Sequence, residues 1–303
     1  MIPFELTIIG SGSAKPTLKR KASAQMLTYG ENHFLIDCAE GTQLQLNALK
    51  ISLMRISHIF ISHLHGDHYF GLIGLINSLH LIGRTKPLYI FGPEKLAEIL
   101  QIQLDASETK LRYPLVFNTL QANGKQCILD NVHLEVYSFP VLHRIPTWGF
   151  LFNEKLPERN IRPDFIEAFH PNFDEIHAIK SGADFIDTYG NSHANHEISI
   201  QHDCRSYAYC TDTAYFEELI DYIKGVKVIY HETTFMANQV ERAMATFHST
   251  TLQAAEIALK AGAGKLIIGH FSSRYPTTET LLEETKTVFS NTVAAEDGLK
   301  IEL

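Results

Sequence analysis

The chain has 303 residues, within the range of one large α/β unit and long enough to bury a sizeable core. Its 45% hydrophobic and 20% charged residues have the balance of a globular protein, and no apolar run approaches a membrane span. A formal net charge of -8 argues against broad nucleic-acid binding through released counterions, although Lys15, Lys19, Arg20 and Lys21 form a local basic patch.

In chain order, residues 4–9, 25–29 and 33–36 read as strands and 42–49 as a helix. A strand over 56–61 then runs into Ser62-His63-Leu64-His65-Gly66-Asp67-His68, followed by a helix near 69–79. Strand-like runs follow at 134–137, 148–152, 198–201, 206–210, 226–230 and 265–268, with helices over 215–223 and 252–261, the latter closed by Gly262-Ala263-Gly264. This alternation predicts two mixed sheets covered by helices, in four layers. Residues 154–196 break the rhythm with Pro157, Pro163, Pro171, Gly182 and Gly190, and so read as an inserted arm. Met1-Ile2-Pro3-Phe4-Glu5 lacks the basic start and apolar core of a signal peptide. Cys38, Cys127, Cys204 and Cys210 show no C-x-x-C pairing, which predicts buried thiols in a reducing cytoplasm.

The histidine loop carries the chemistry. His63, His65, Asp67 and His68 lie within six residues at a strand end, and imidazole with carboxylate suits zinc and similar divalent ions. Gly66 would supply the backbone freedom of a tight ligand loop. Four ligands cannot complete a two-metal site. His143, Asp212 and His270 follow later strand-like runs, where further ligands belong.

Together these residues resemble the metallo-β-lactamase superfamily, and residues 62–72 are similar to its ribonuclease Z family, which trims tRNA precursors at their 3′ end. Asp37-Cys38-Ala39-Glu40-Gly41-Thr42-Gln43, His231-Glu232-Thr233-Thr234-Phe235, His248-Ser249-Thr250 and His270-Phe271-Ser272-Ser273-Arg274-Tyr275 extend the resemblance over essentially the whole chain. It implies a four-layer αββα sandwich of the metallo-β-lactamase type, a single domain over residues 1–303, with 154–196 as an arm that grips tRNA. It further implies two zinc ions per chain, with manganese the other candidate. One would sit on His63, His65 and His143, the second on Asp67, His68 and His270, with Asp212 bridging. The partners implied are a tRNA precursor and a second copy of the chain, in the cytoplasm and away from membranes.

The expected reaction is attack of a metal-activated hydroxide on a phosphodiester, leaving a 3′-hydroxyl on the tRNA. Asp67 is placed to hold or accept the nucleophile's proton. No ligand position remains for His248, whose titration range suits a general acid; the resemblance implies that Glu232 positions it. A helix cap is the other reading of Ser249 and Thr250. Asp37 reads as a carboxylate orienting a ligating imidazole, or as a plain turn aspartate. Arg274 is fitted to clamp a phosphate, and Lys19, Arg20 and Ser273 complete the substrate-binding candidates.

Three departures from the family stand out. The loop that usually reads P-x-K-x-R-N is Pro16-Thr17-Leu18-Lys19-Arg20-Lys21, and Thr211 replaces the glycine before Asp212-Thr213. The arm carries His170-Pro171-Asn172-Phe173-Asp174-Glu175 in place of a basic tip, which predicts weaker backbone binding. Two competing readings remain: a phosphodiesterase for small or cyclic diesters, and an RNA-binding module with a degraded site.

Overall fold

The computed structural model describes residues 2–15, 17–156 and 158–303, so that Pro16 and Pro157 lie outside the described residues. The chain divides into two compact units, one of Met1–Ile128, Val136–Phe152 and Ser206–Leu303, the other of Leu129–Glu135 and Asn153–Arg205.

The first unit is built on two seven-stranded sheets. One runs in the order Lys300–Glu302, Phe4–Gly10, Ala24–Tyr29, Asn32–Ile36, Ile56–Phe60, Leu88–Gly92, Leu115–Thr119. Its first four strands pair antiparallel and the remainder parallel. The other has the order Thr292–Ala294, Lys265–Gly269, Val228–Glu232, Ser206–Cys210, Trp148–Glu154, Leu134–Pro140, Gln126–Asp130. Strands such as Phe4–Gly10 and Val228–Glu232 are buried along nearly their whole length because both faces of each sheet are covered.

Aromatic rings fill the space between the sheets: Phe60 lies 5.4 Å from Phe150, and Phe34 6.2 Å from Phe152. Truncating Phe60 to alanine there would cost about 3–5 kcal/mol. On the outer face of the first sheet, helix Leu72–Leu81 buries Leu72, Leu75, Ile76 and Leu79, and Glu94–Ala106 buries Leu96, Leu100 and Leu104. Helix Thr251–Lys260 buries Ala254, Ala255, Ile257 and Ala258 beside the second sheet. The layers are therefore αββα, as the alternation of elements predicts.

Several local expectations change. The helix expected near 69–79 is split into Gly66–Tyr69 and Leu72–Leu81. At the junction Gly71 donates to Cys38 O at 2.9 Å, and a Cβ there would sit 2.0 Å from Ala39 O. The helix expected over 215–223 narrows to Glu218–Ile223, and the strand at 198–201 to Ser199–Ile200 behind helix Asn195–Ile198. Thr250 does cap a helix: it and Gln253 form a reciprocal capping box on Thr251–Lys260. Cys38 and Cys210 are buried, but Cys127 is exposed and Cys204 only half-buried, since neither belongs to the inter-sheet core. Among the described residues no helix is long and apolar enough to cross a membrane.

The second unit has a small core of Phe165, Ile179, Phe185 and Ile198, with the Phe165 and Phe185 rings edge to face at 5.2 Å. Its helices are Pro163–Phe169 and Phe173–Lys180, the latter opened by an Asn172/Glu175 capping box. The buried pair Glu154 and Arg205 ties the two ends of the segment, with Arg205 Nε donating to Glu154 Oε2 at 2.8 Å. The unit therefore extends beyond residues 154–196 to Arg205 and takes in Leu129–Glu135.

Candidate active site

The site lies in the first unit, at one end of its two sheets. Strand Ile56–Phe60 delivers Ser62 and His63; the loop and the short helix Gly66–Tyr69 deliver His65, Asp67 and His68. From the second sheet come His143 beyond Leu134–Pro140, Asp212 beyond Ser206–Cys210, Glu232 at the end of Val228–Glu232 and His270 beyond Lys265–Gly269. Asp37 and His270 turn off their strands in the left-handed region, at φ 56° and 57°. Non-glycine residues there cost about 1–3 kcal/mol each, strain that the surrounding contacts must offset.

Two clusters of potential ligand atoms form. His63, His65, His143 and Asp212 make one; Asp67, His68 and His270 make the other. His65 Nδ1 lies 3.0 Å from His63 Nε2 and 3.2 Å from His143 Nε2. Asp212 divides its carboxylate between the clusters. Oδ2 faces His63 and His143 at 3.7 and 3.9 Å, while Oδ1 faces His270 and His68 at 3.1 and 3.5 Å. Asp67 Oδ2 is 3.4 Å from His270 Nε2 and 3.6 Å from His68 Nε2.

Four of the five imidazoles in these clusters are anchored through Nδ1, which leaves Nε2 to point inward. His63 contacts Ser62 Oγ at 3.0 Å, His68 contacts Asp37 Oδ2 at 2.7 Å, His143 contacts Phe247 O at 2.8 Å and His270 contacts Thr234 Oγ1 at 3.0 Å. Such outer contacts fix tautomer and ring orientation in metal sites. Asp37 is itself held, accepting from Ser62 N and Oγ at 2.8 Å each and from Tyr209 OH at 2.7 Å.

These residues fit a metal. His68 Nε2 and Asp212 Oδ1 are buried without a hydrogen-bond partner among the described residues, a costly state for polar atoms unless a cation receives their lone pairs. Burial holds His63 neutral, well below the usual histidine range, as a ligand must be. Burial opposes charge on His68 as well, but Asp212, Asp37 and Asp67 outweigh it and push its pKa well up. Positive charge is wanted at that point, from a proton or from an ion.

His248 stands beside the clusters, close enough to Asp212 and His270 to offer a ligand atom itself, so its position alone does not set it apart. Its Nδ1 is 2.8 Å from Glu232 Oε1. Burial lowers its pKa, but Glu232 more than compensates and raises it to about 9. Glu232 is fully buried and also accepts from Thr213 N, Ser249 N, Thr234 N and Thr234 Oγ1. Through Thr234 this one carboxylate braces His270 as well as His248.

The substrate-binding candidates lie to one side. The ligand clusters open into a cleft of about 560 Å³ that includes Ser13, Lys15, Glu40 and Phe70. An adjoining cavity of about 350 Å³, sharing Ser13 and Lys15, is lined by Lys19, Arg20 and Ser273. Lys19 and Ser273 are exposed. Arg20 is committed to the fold, donating to Tyr275 O at 2.8 Å and covering the Phe271 ring. The Arg274 guanidinium stacks on Phe235, 5.0 Å from the ring centre.

Gly66 requires a correction: its φ is not positive, so no left-handed backbone calls for glycine there, and a Cβ would meet only the exposed Phe70 ring, at 2.3 Å. Sequence reasoning also missed Ser62, Tyr209 and Thr234 as supports. Thr234 falls within a motif already singled out, but nothing local marks its role.

Comparisons with known proteins identify the family. Residues 4–157 match the family model described as Anti-Pycsar protein Apyc1. A ribonuclease Z of Cytophaga hutchinsonii is 47% identical, covering 97% of this chain and 95% of its own length. Another, from Phocaeicola vulgatus, is 43% identical over 100% of this chain and 98% of its own. The crystal structure of the short form of human tRNase Z superposes with a TM-score of 0.72 at 25% identity, covering 98% of each chain. With full-length relatives at this identity and the metallo-β-lactamase αββα fold, the chain belongs to the ribonuclease Z family of enzymes.

Proposed function

We propose that this protein is a zinc-dependent endoribonuclease that removes the 3′ trailer from tRNA precursors and leaves a 3′-hydroxyl on the tRNA. The observation that carries the reading is Asp212, whose two oxygens face two separate ligand clusters beside the His248–Glu232 pair. The chain's identity to ribonucleases Z over its whole length supports an RNA substrate.

His63, His65 and His143 would hold one ion, Asp67, His68 and His270 the second, with Asp212 shared. Zinc suits this nitrogen and oxygen set, with manganese the other candidate. Ions held there supply charge neutralisation for the phosphate and acidify a bound water. Asp67 stays ionised despite burial, because His68 and His270 hold its pKa down at about 2. Its Oδ2 accepts from Ala14 N at 2.7 Å, which would orient it to accept a hydrogen bond from the attacking water. Glu232 favours a proton on His248, which would deliver it to the departing oxygen. The same carboxylate holds that imidazole in place. Arg274 and Lys19 would meet phosphates flanking the reacting one.

The arm of residues 153–205 would then serve as an exosite for the tRNA body. It carries ten Asp and Glu against five Lys and Arg, so charge attraction cannot be its main device. Phe173 and Tyr189, 83% and 89% exposed, favour contact through aromatic faces. We extend the reading to a homodimer in the cytoplasm alongside its substrate; light scattering reads the assembly.

The test is cleavage of an end-labelled tRNA precursor with both product ends mapped, beside a cyclic nucleotide. One cut at the 3′ end of the tRNA, leaving a 3′-hydroxyl, is expected. Turnover of the cyclic diester with the precursor left intact would overturn the assignment.

A further inference from the structure

Phe70 has no part in the reaction as derived above, yet it lines the cleft that contains Asp67, Asp212, His248 and His270. Its side chain is 62% exposed. A single exposed apolar residue is ordinary on a protein surface and needs no explanation. Two observations set this one apart.

The first is rigidity. Cys38 N donates to His68 O at 2.7 Å, Phe70 N to Gly66 O at 3.1 Å and Gly71 N to Cys38 O at 2.9 Å, so the backbone is pinned on both sides of the ring. The second is accommodation. The ring lies over Gly66, where a Cβ would meet three ring carbons at 2.3 to 2.6 Å, and Tyr69 meets it edge-on at 5.0 Å. The ring thus lies along the ligand loop over position 66 while much of it stays in solvent. Lys15, exposed in the same cleft, supplies positive charge for a phosphate nearby.

An exposed aromatic face on a hydrogen-bonded backbone, next to a phosphodiester-cleaving centre, is complementary to a nucleobase. Stacking accepts any of the four bases because each has a π face. We propose that Phe70 is the stacking platform for the base of a nucleotide that flanks the scissile phosphate. This inference rests on the RNA-cleaving reading given above.

The test is a cycle between protein and substrate. Phe70→Ala, Phe70→Tyr and the parent are compared on a tRNA precursor and on two versions that are abasic at the nucleotide before or after the cut, with bound ions counted in each protein. Phe70→Ala is expected to lower kcat/KM on the full precursor by about ten- to a hundredfold, mainly through KM, with ion content retained. Phe70→Tyr keeps a ring and should restore most of the loss. On one of the two abasic substrates the parent should fall to the level of Phe70→Ala, and the variant should lose nothing further. Equal loss from Phe70→Ala on all three substrates, or loss of ions, makes the residue structural and overturns the platform. A parent that cleaves none of the substrates would refute the RNA reading itself, a result distinct from an active parent indifferent to position 70.

Discussion

The cleft and the arm are stabilised on opposite terms. In the cleft, seven imidazole and carboxylate ligand candidates converge, most of them buried, and four of the imidazoles are anchored from behind. In the arm, four apolar side chains make the core, and the distinctive chemistry is on the surface, in Phe173, Tyr189 and an excess of acids. Clustered carboxylates and imidazoles call for positive charge at their centre, from protons or from an ion, so the cleft's chemistry depends on every one of these side chains. A unit with its own small apolar core can change its surface without disturbing that chemistry. The contrast predicts that damage in the cleft abolishes reaction on every substrate, whereas damage in the arm discriminates between substrates.

The largest effect should come from Asp212→Ala, which takes one oxygen from each cluster. Cleavage of every diester should fall by about a thousandfold or more, with ion content falling in parallel by elemental analysis. Retention of both ions would mean that Asp212 is not shared between them.

Next comes His248→Ala, with an expected loss of about a hundredfold on RNA and bound ions unchanged. Because His248 lies within ligand distance of Asp212 and His270, the ion count is the deciding readout. The loss should shrink on a nitrophenyl diester, whose leaving group needs no proton; an equal loss on both substrates would make the histidine structural.

The arm should give a smaller and selective effect. Replacing residues 159–201 by a short linker keeps Glu154 and Arg205, the pair that ties its ends. Turnover of a small diester should persist near the parent rate, and precursor cleavage should weaken through KM. A shorter excision over 170–186 is a poor test, since it would remove Ile179 and Phe185 from the arm's core. Unchanged precursor cleavage would leave the arm without an RNA role.

The smallest effect concerns histidines outside both regions. Burial pushes His33 and His58 down to about 4, helped at His33 by Arg55 and at His58 by Arg84. Unfolded, both titrate near 6.5, so the fold favours their neutral forms. Their contribution is complete above that value and is lost as pH falls from there toward 4. The melting temperature of chelated protein should drop over that window, and His58→Phe should flatten the drop, since its ring stacks between Phe34 and Tyr89.

How much of this was legible depended on sequence distance. His63, His65, Asp67 and His68 announce themselves because their spacing is local, and the strand-end histidines follow from the alternation of elements. Supports that arise only when the two sheets meet leave no local trace: Tyr209 reaches Asp37 across 172 residues. Gly66 shows the other limit, since its place in the loop suggests backbone freedom while the folded chain sets it at the start of helix Gly66–Tyr69 with no positive φ. Helix Glu94–Ala106 was within reach, because Leu96, Leu100 and Leu104 repeat every four residues, yet no motif drew attention to it. The arm's span was readable from its prolines and glycines; its core of aromatic and aliphatic residues was not.

We propose that the cleft holds a pair of ions through one shared carboxylate, Asp212. Elemental analysis of active, metal-replete protein tests it most directly. Close to two zinc-like ions per chain are expected, lost together with activity on chelation and regained together on their return. A fully active preparation with one ion or none per chain would contradict it.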